Sequence, residues 1–298
     1  MSELSITAKT PKSAVGRELS TLNPLQTFRG LNVYTFRGAD LPSAMQEVGR
    51  LRETIFRKHG AGRGGQYDLD ELDFGTYPYM QMIAFDPAEE EIVATYRYQW
   101  GSWVEDGGKQ VLRTSSLFNY SDDFSRNKLP YAVELGRSVV NDKARRKRFG
   151  LFALWKGIVE LINLNPELRY YFGNVTLYKT MNKTARDKLI TYLETHYPPP
   201  EPMLQAKRHL HYKPRNADAG EAVENGMPDT PENRIQTLRT RLSPFGESIP
   251  PILQSYMSLS TNIWFGEAAM DKDFGDALEI GIIVPVTENK KANLSRFG

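Results

Sequence analysis

Between Leu31 and Gly38 the chain reads LNVYTFRG, alternating apolar with polar positions and rich in strand formers, which predicts a first strand. Pro42 then opens a helix whose apolar residues Met45, Val48, Leu51, Ile55 and Phe56 recur at helical spacing until His59-Gly60 stops it. AGRGGQYDLDELDFG, dense in glycine and acid, reads as a long surface loop, a kind that often carries function. Two strands follow, Tyr79 to Phe85 and Glu91 to Trp100, joined by the turn signal DPAEE. YAVELGRSVV, from Tyr131, predicts another strand, and the charged run NDKARRKRFG leads from it into the one-sided apolar pattern of LFALWKGIVELINL. ELRYYFGNVTLY predicts the next strand and TARDKLITYLETHY the next helix, giving the order β-α-β-β-β-α-β-α. Further on, PENRIQTLRTRL and a short segment after PPILQ predict helices, and two apolar strands reaching Val286 could complete the same sheet.

The pattern also sets boundaries. Residues 1–27 are polar without a helical or strand period and read as a flexible tail; 28–288 read as a single domain; 289–298 read as a second tail. Within the domain, proline, glycine and asparagine gather over 198–230, in PPPEP, KPRNADAG and VENGMPDT, which marks an insertion or linker. No internal repeat is present.

Composition narrows the chemistry. With 38 basic and 36 acidic side chains, net charge makes no case for nucleic-acid binding. The absence of cysteine excludes a disulfide scaffold, a zinc ribbon, an iron–sulfur site and a thiol nucleophile. The amino terminus lacks an apolar run that would make it a signal peptide, and no window is apolar enough to span a bilayer, so the expectation is a cytoplasmic protein with at most peripheral contact at the inner face of the membrane.

The most informative stretch is ELGRSVVNDKARRKRFG. A helix amino terminus presents unpaired N–H groups and partial positive charge, Arg145, Arg146 and Arg148 add cations, and Gly150 permits close approach, so the ligand implied is a phosphate. A basic run at a helix start is as often a solvated face. Glu134, three residues before Arg137, is the leading carboxylate: it is either a base beside this loop or the ion-pair partner of a neighbouring cation. Arg52 and Arg97 read as ion-pair formers or as holders of an acidic ligand. Asp68, Asp70 and Asp73 could bind an ammonium or order their loop; they lack the EF-hand pattern, and His59, His196, His209 and His211 form no metal-ligand pattern, so no metal is expected.

Several pieces together resemble a family. KRFGLF is similar to a degenerate form of the pyrophosphate loop of GNAT acyltransferases, departing from it at Phe152 where a small residue is usual. LRETIF with the acidic stretch after it, IVATYRYQ, ELGRSVVNDKARR, and PPILQSYMSLSTNIWFGEAAMDKDFGDALEIGIIV resemble, in order and spacing, the motifs of ornithine-lipid and glycine-lipid acyltransferases, once called hemolysin-like, which are related to acyl-homoserine-lactone synthases. The resemblance implies an α+β GNAT fold, a mixed, mostly antiparallel central sheet flanked by helices. It implies an enzyme moving a long-chain, in some relatives 3-hydroxylated, acyl group from acyl carrier protein to the amine of a small amino acid, with no resident cofactor and with phosphopantetheine or acyl-coenzyme A as the donor's carrier.

On that footing Glu134 is the general base an ammonium acceptor requires. Arg137, Ser138 and Asp271 join it as catalytic candidates, Asp271 standing with Asp273 in the closing element where a turn-forming role serves equally well. Backbone N–H groups between Ser138 and Val140 would meet the oxyanion. Val139, Val140, Arg145, Arg146, Arg148, Phe149 and Gly150 would hold the carrier arm, and Arg52, Phe56, Asp70, Asp73 and Arg97 the acceptor. Tyr77-Pro78 stands where relatives often have a histidine, so that base is not available here. Trp155, Tyr170, Tyr171, Phe172, Trp264 and Phe265 could line an acyl tunnel or simply be core. A lactone-forming synthase, an acetyl-coenzyme A transferase and an inactive GNAT-like protein that binds a membrane surface or a partner remain the alternatives.

Overall fold

The computed structural model describes residues 4–215, 229–259 and 262–286. In chain order the strands are β1 (Gln26–Phe28), β2 (Leu31–Arg37), β3 (Met80–Asp86), β4 (Glu91–Trp100), β5 (Phe118–Tyr120), β6 (Ala132–Val140), β7 (Tyr170–Leu177), β8 (Leu204–Ala206), β9 (His211–Tyr212), β10 (Trp264–Asp271) and β11 (Ala277–Pro285). The helices are α1 (Lys12–Leu19), α2 (Pro42–Lys58), α3 (Val104–Gly107), α4 (Lys147–Leu164), α5 (Lys183–His196), α6 (Pro231–Leu242) and α7 (Pro251–Leu259). The class is α+β, and the described residues group into two compact units, one from 4–113 with 133–168 and one from 114–132 with 169–286.

In the first unit β1, β2, β3, β4 and β6 pair in that order, each antiparallel to the next. Alternation sends Tyr34, Phe36, Ile83 and Phe85 to one face, where they form a buried cluster with Leu41, Ala44, Met45, Val48 and Leu51 of the α2 region and with Val15 and Leu19 of α1. The other face receives α4, whose glycines permit a close approach: a Cβ on Gly157 would stand 2.8 Å from Met82 Sδ and from Val33 Cγ1.

The expectation of a flexible tail over 1–27 is corrected by α1. Its Val15 and Leu19 are buried, and its Glu18 carboxylate accepts hydrogen bonds from Ser43 N (2.9 Å) and Ala44 N (2.8 Å), capping α2 where Leu41 has no side chain able to do so. Eight residues with two buried apolar positions carry too short a period to stand out in sequence.

In the second unit β7, β11, β10 and β9 pair antiparallel in that order, with α5 against β10 and α6 against both α5 and α7. β5 and β8 form a separate antiparallel pair. The segment read as an insertion thus contributes β8 and β9 to the unit's sheets, residues 216–228 lying outside the described residues, as does the tail expected over 289–298. Among the described residues no helix is long and apolar enough to cross a membrane.

Candidate active site

The polar end of the first unit's sheet lies on the face that α2 covers. Cross-strand pairing sets Gln81 opposite Arg97 and Arg97 opposite Gly136, and one row further on Gln99 opposite Glu134. Register then slips: Thr95 opposes Val139, so that Arg137 and Ser138 together face Tyr96. This is a β-bulge, a device that re-aims side chains next to active sites. Its left-handed residue is Arg137, at φ 53°.

Glu134 is buried, with 1% of its surface exposed. The hydroxyl of Tyr79 donates to its Oε2 at 2.5 Å and itself accepts from the backbone N–H of Arg113 at 2.8 Å. Tyr79 is fully enclosed, its own N–H bonded to Leu72 O at 2.7 Å and the Arg97 guanidinium 4.5 Å from its ring centroid. Burial and the neighbouring Glu134 charge push the phenol well above its usual pKa of 10.0, so it stays a donor. The phenol, which does not itself ionise, holds Oε2 of this buried carboxylate in place. Tyr79 escapes a sequence reading except through the alternation Tyr79-Met80-Gln81-Met82, which puts it on the polar face with Gln81.

Beneath this row the acidic loop closes on arginine. Arg52 donates to Asp73 Oδ1 at 3.2 Å and to Gln81 Oε1 at 2.6 Å; Arg97 donates to Asp70 Oδ1 at 2.8 Å and Asp73 Oδ1 at 3.1 Å; Gln81 Nε2 donates to Asp73 Oδ1 at 3.1 Å. Burial opposes ionisation of Asp73, but the Arg97 and Arg52 guanidiniums outweigh it and hold the carboxyl below the usual carboxylate range; Asp70 is held low in the same way, chiefly by Arg97. Arg137 Nε lies 2.9 Å from Asp68 Oδ2, and its guanidinium 5.5 Å from the ring centroid of Phe56. Where the sequence reading has Arg52, Phe56, Asp70, Asp73 and Arg97 reaching for an acceptor, the structure turns them on one another and on Arg137. Arg137 likewise pairs with Asp68 of the acidic loop. Among the described residues no group of three or more His, Asp or Glu side chains is arranged to hold a metal ion.

The basic loop has the opposite character. Val139 and Val140 end the pairing with β4, and Asn141 then pins the loop, its N–H on Val93 O (2.9 Å) and its Nδ2 on Ile92 O (3.1 Å). Arg145 donates to Glu89 Oε1 at 2.8 Å with 79% of its side chain exposed, and Arg146 donates to Gly30 O at 3.0 Å. Exposed Arg148 stands 4.6 Å over the Phe149 ring. Gly150 serves packing: its Cβ would be 3.0 Å from Ala94 Cβ and 3.1 Å from Val93 Cγ1, so it lets α4 approach β4. Arg145 and Arg148 are the exposed arginines of the loop, alongside exposed Lys143 and Lys147.

Asp271 belongs to the second unit. It ends β10, buried, with Oδ1 accepting from Asp273 N (3.2 Å) and its carbonyl from Phe274 N (3.2 Å), ahead of Gly275 and Asp276 at φ 67° and 56°. These bonds fold the β10–β11 turn, the role weighed equally for it in the sequence.

The family described as Acetyltransferase (GNAT) domain matches residues 51–156, which run from α2 through the acidic loop, Glu134 and the bulge into α4. Over 265 residues the chain is 35% identical to the glycine N(alpha)-acyltransferase of Phocaeicola vulgatus, covering 86% of this chain and 80% of that one. It is 34% identical over 264 residues to the glycine N(alpha)-acyltransferase of Bacteroides thetaiotaomicron, covering 86% and 77%. No solved structure matches it. A match of this extent, over a bulged strand bearing a buried carboxylate and a basic loop entering a helix, makes the chain a member of the GNAT-fold N-acyltransferase family to which those two enzymes belong, and an acyltransferase.

Proposed function

We propose that the protein transfers a long-chain fatty acyl group from acyl carrier protein to the amine of glycine, giving an N-acylglycine for amino-acid lipid synthesis, and that residues 28–288 act as one catalytic domain. The observation that carries this reading is the identity to two glycine N(alpha)-acyltransferases across 86% of the chain. The chemistry of the first unit supports it. Glycine's ammonium must lose a proton before its nitrogen can attack a thioester carbonyl, and Glu134, held by Tyr79, is the group that takes it. The new C–N bond forms, the carbonyl oxygen carries negative charge in the tetrahedral intermediate, and N–H groups of the bulge between Ser138 and Val140 meet that charge. The C–S bond then breaks, the nitrogen gives up its second surplus proton to the departing phosphopantetheine thiolate, and the proton held by Glu134 passes to solvent. Arg145 and Arg148 receive the carrier's phosphate and its acidic protein surface. No cofactor stays bound: the donor arrives and departs with its carrier, and the amphiphilic product leaves toward a membrane surface.

The test is acyl transfer followed by mass spectrometry, with long-chain acyl-acyl carrier protein, long-chain acyl-coenzyme A and acetyl-coenzyme A as donors and a pool of amino acids as acceptors. The expected result is N-acylglycine from the carrier-protein donor, with Glu134→Gln lowering kcat by about 10²- to 10⁴-fold. Turnover with acetyl-coenzyme A alone would replace this reading with an acetyltransferase, as the matched family's description has it. No product from any donor would leave a GNAT-fold binding protein.

A further inference from the structure

A glycine inside a strand weakens it, and its presence has a limited set of reasons: a left-handed backbone, a neighbour too close for a Cβ, or a ligand that approaches the chain. Gly136 can be taken through them in turn. It lies in β6 directly beside the bulge, yet the positive φ of that bulge falls on Arg137, at 53°, and Gly136 is not among the glycines with positive φ. The strand thus places its unfavourable backbone conformation on a residue with a long side chain and keeps the glycine where any residue's backbone would fit. The second reason fails as well. Among the described residues a Cβ built on Gly136 meets nothing within 4 Å, whereas one on Gly150 or Gly157 would run into β4, or into β2 and β3.

What remains is access. Glu134 and Gly136 are two residues apart on the near side of the bulge, so they share a face, Glu134 opposite Gln99 and Gly136 opposite Arg97. Their Cα atoms are about 7 Å apart along the strand, within reach of the Glu134 side chain. We infer that the α-carbon and amine of the acceptor amino acid lie over Gly136, against the Glu134 carboxylate, and that the missing side chain at this position sets the size of acceptor the enzyme takes. This rests on the reading of the protein as an amino-acid N-acyltransferase and names the subsite within it. An ammonium is what a buried carboxylate draws to itself, and the thioester donor carries no positive charge at its reacting end. Acceptors with a hydrogen at the α-carbon's side-chain position fit closest to the strand; those with longer side chains fit less well.

The experiment is steady-state kinetics on Gly136→Ala and Gly136→Val, with glycine, alanine and ornithine as acceptors and a fixed acyl-acyl carrier protein donor, alongside thermal melting of each variant. Gly136→Ala is expected to raise the KM for glycine by about 10-fold or more and Gly136→Val by a larger factor, with alanine and ornithine affected more than glycine. The KM for the donor should hold, and Tm of Gly136→Ala should stay within about 2 °C of the parent, because the added Cβ meets no described neighbour within 4 Å. Unchanged glycine kinetics in both variants would overturn the inference, as would a loss that falls on the donor KM or a Tm that drops in step with activity. A parent enzyme that acylates no amino acid would overturn the proposed function and this subsite with it, whereas an active parent matched by both variants would remove the subsite alone.

Discussion

Arg52 and Arg97 leave 0% and 1% of their surface exposed, closed over by Asp70, Asp73 and Gln81, while Arg145 shows 79% of its side chain to solvent at the approach to α4. The acidic loop and the basic loop are built from the same kinds of residue and serve opposite ends. Buried guanidiniums have no water to fall back on, so each depends on its carboxylate, and the group as a whole becomes a fixed support beneath Glu134 and Tyr79. Exposed guanidiniums exchange partners at little cost, which is what recognition of an arriving anion requires. Charge in a sequence becomes scaffold or contact according to whether a sheet face closes over it.

The strongest way to break this contrast is Arg97→Ala. It strands the Asp70 and Asp73 carboxylates in the interior and should cost about 3–5 kcal/mol, read by chemical denaturation, with little change in high salt because the pairs are shielded from it. The same network has a pH signature. Asp73 is held below its ordinary value of 3.8, so its contribution is fully present above that value and is lost as pH falls below it; Asp73→Asn should flatten this part of the curve of Tm against pH.

Tyr79→Phe tests the join between support and chemistry. It removes the hydroxyl's bonds to buried Glu134 Oε2 and to the Arg113 N–H, costing about 1–3 kcal/mol. On the proposed mechanism turnover should fall by about 10- to 100-fold while KM for both substrates stays put, since Tyr79 would position Glu134 without meeting substrate. The smallest structural effect belongs to Arg145→Ala with Arg148→Ala: stability should move by less than about 0.5 kcal/mol, while the KM for the carrier-protein donor rises several-fold and its salt dependence weakens. A double variant that melts early would move this loop into the class of the buried one.

Much of the fold was legible because long amphipathic patterns report themselves. β4, read as Glu91 to Trp100, has those limits, and α6 is the segment PENRIQTLRTRL. The short elements β1, β5, β8 and β9 were not, for two or three residues cannot display a period and owe their pairing to distant partners such as Leu204 against Tyr120. For the candidate site, sequence pointed to Glu134 through its motif. It could not show that Tyr79, 55 residues away, would be bonded to it, nor that a Cβ on Gly136 would meet no described residue within 4 Å. Those facts exist only once register is fixed.

The pairing of β5 with β8 has a consequence for how the protein is made. Residues 114–132 leave the first unit's run of chain and join the second, after which 133–168 return to the first. A ribosome therefore emits part of the second unit before the first is complete, and β5 must wait for β8, far downstream, before its backbone finds a partner. The first unit's described residues are all emitted by residue 168, with most of the second still to come, and no single cut in the gene would yield either one alone.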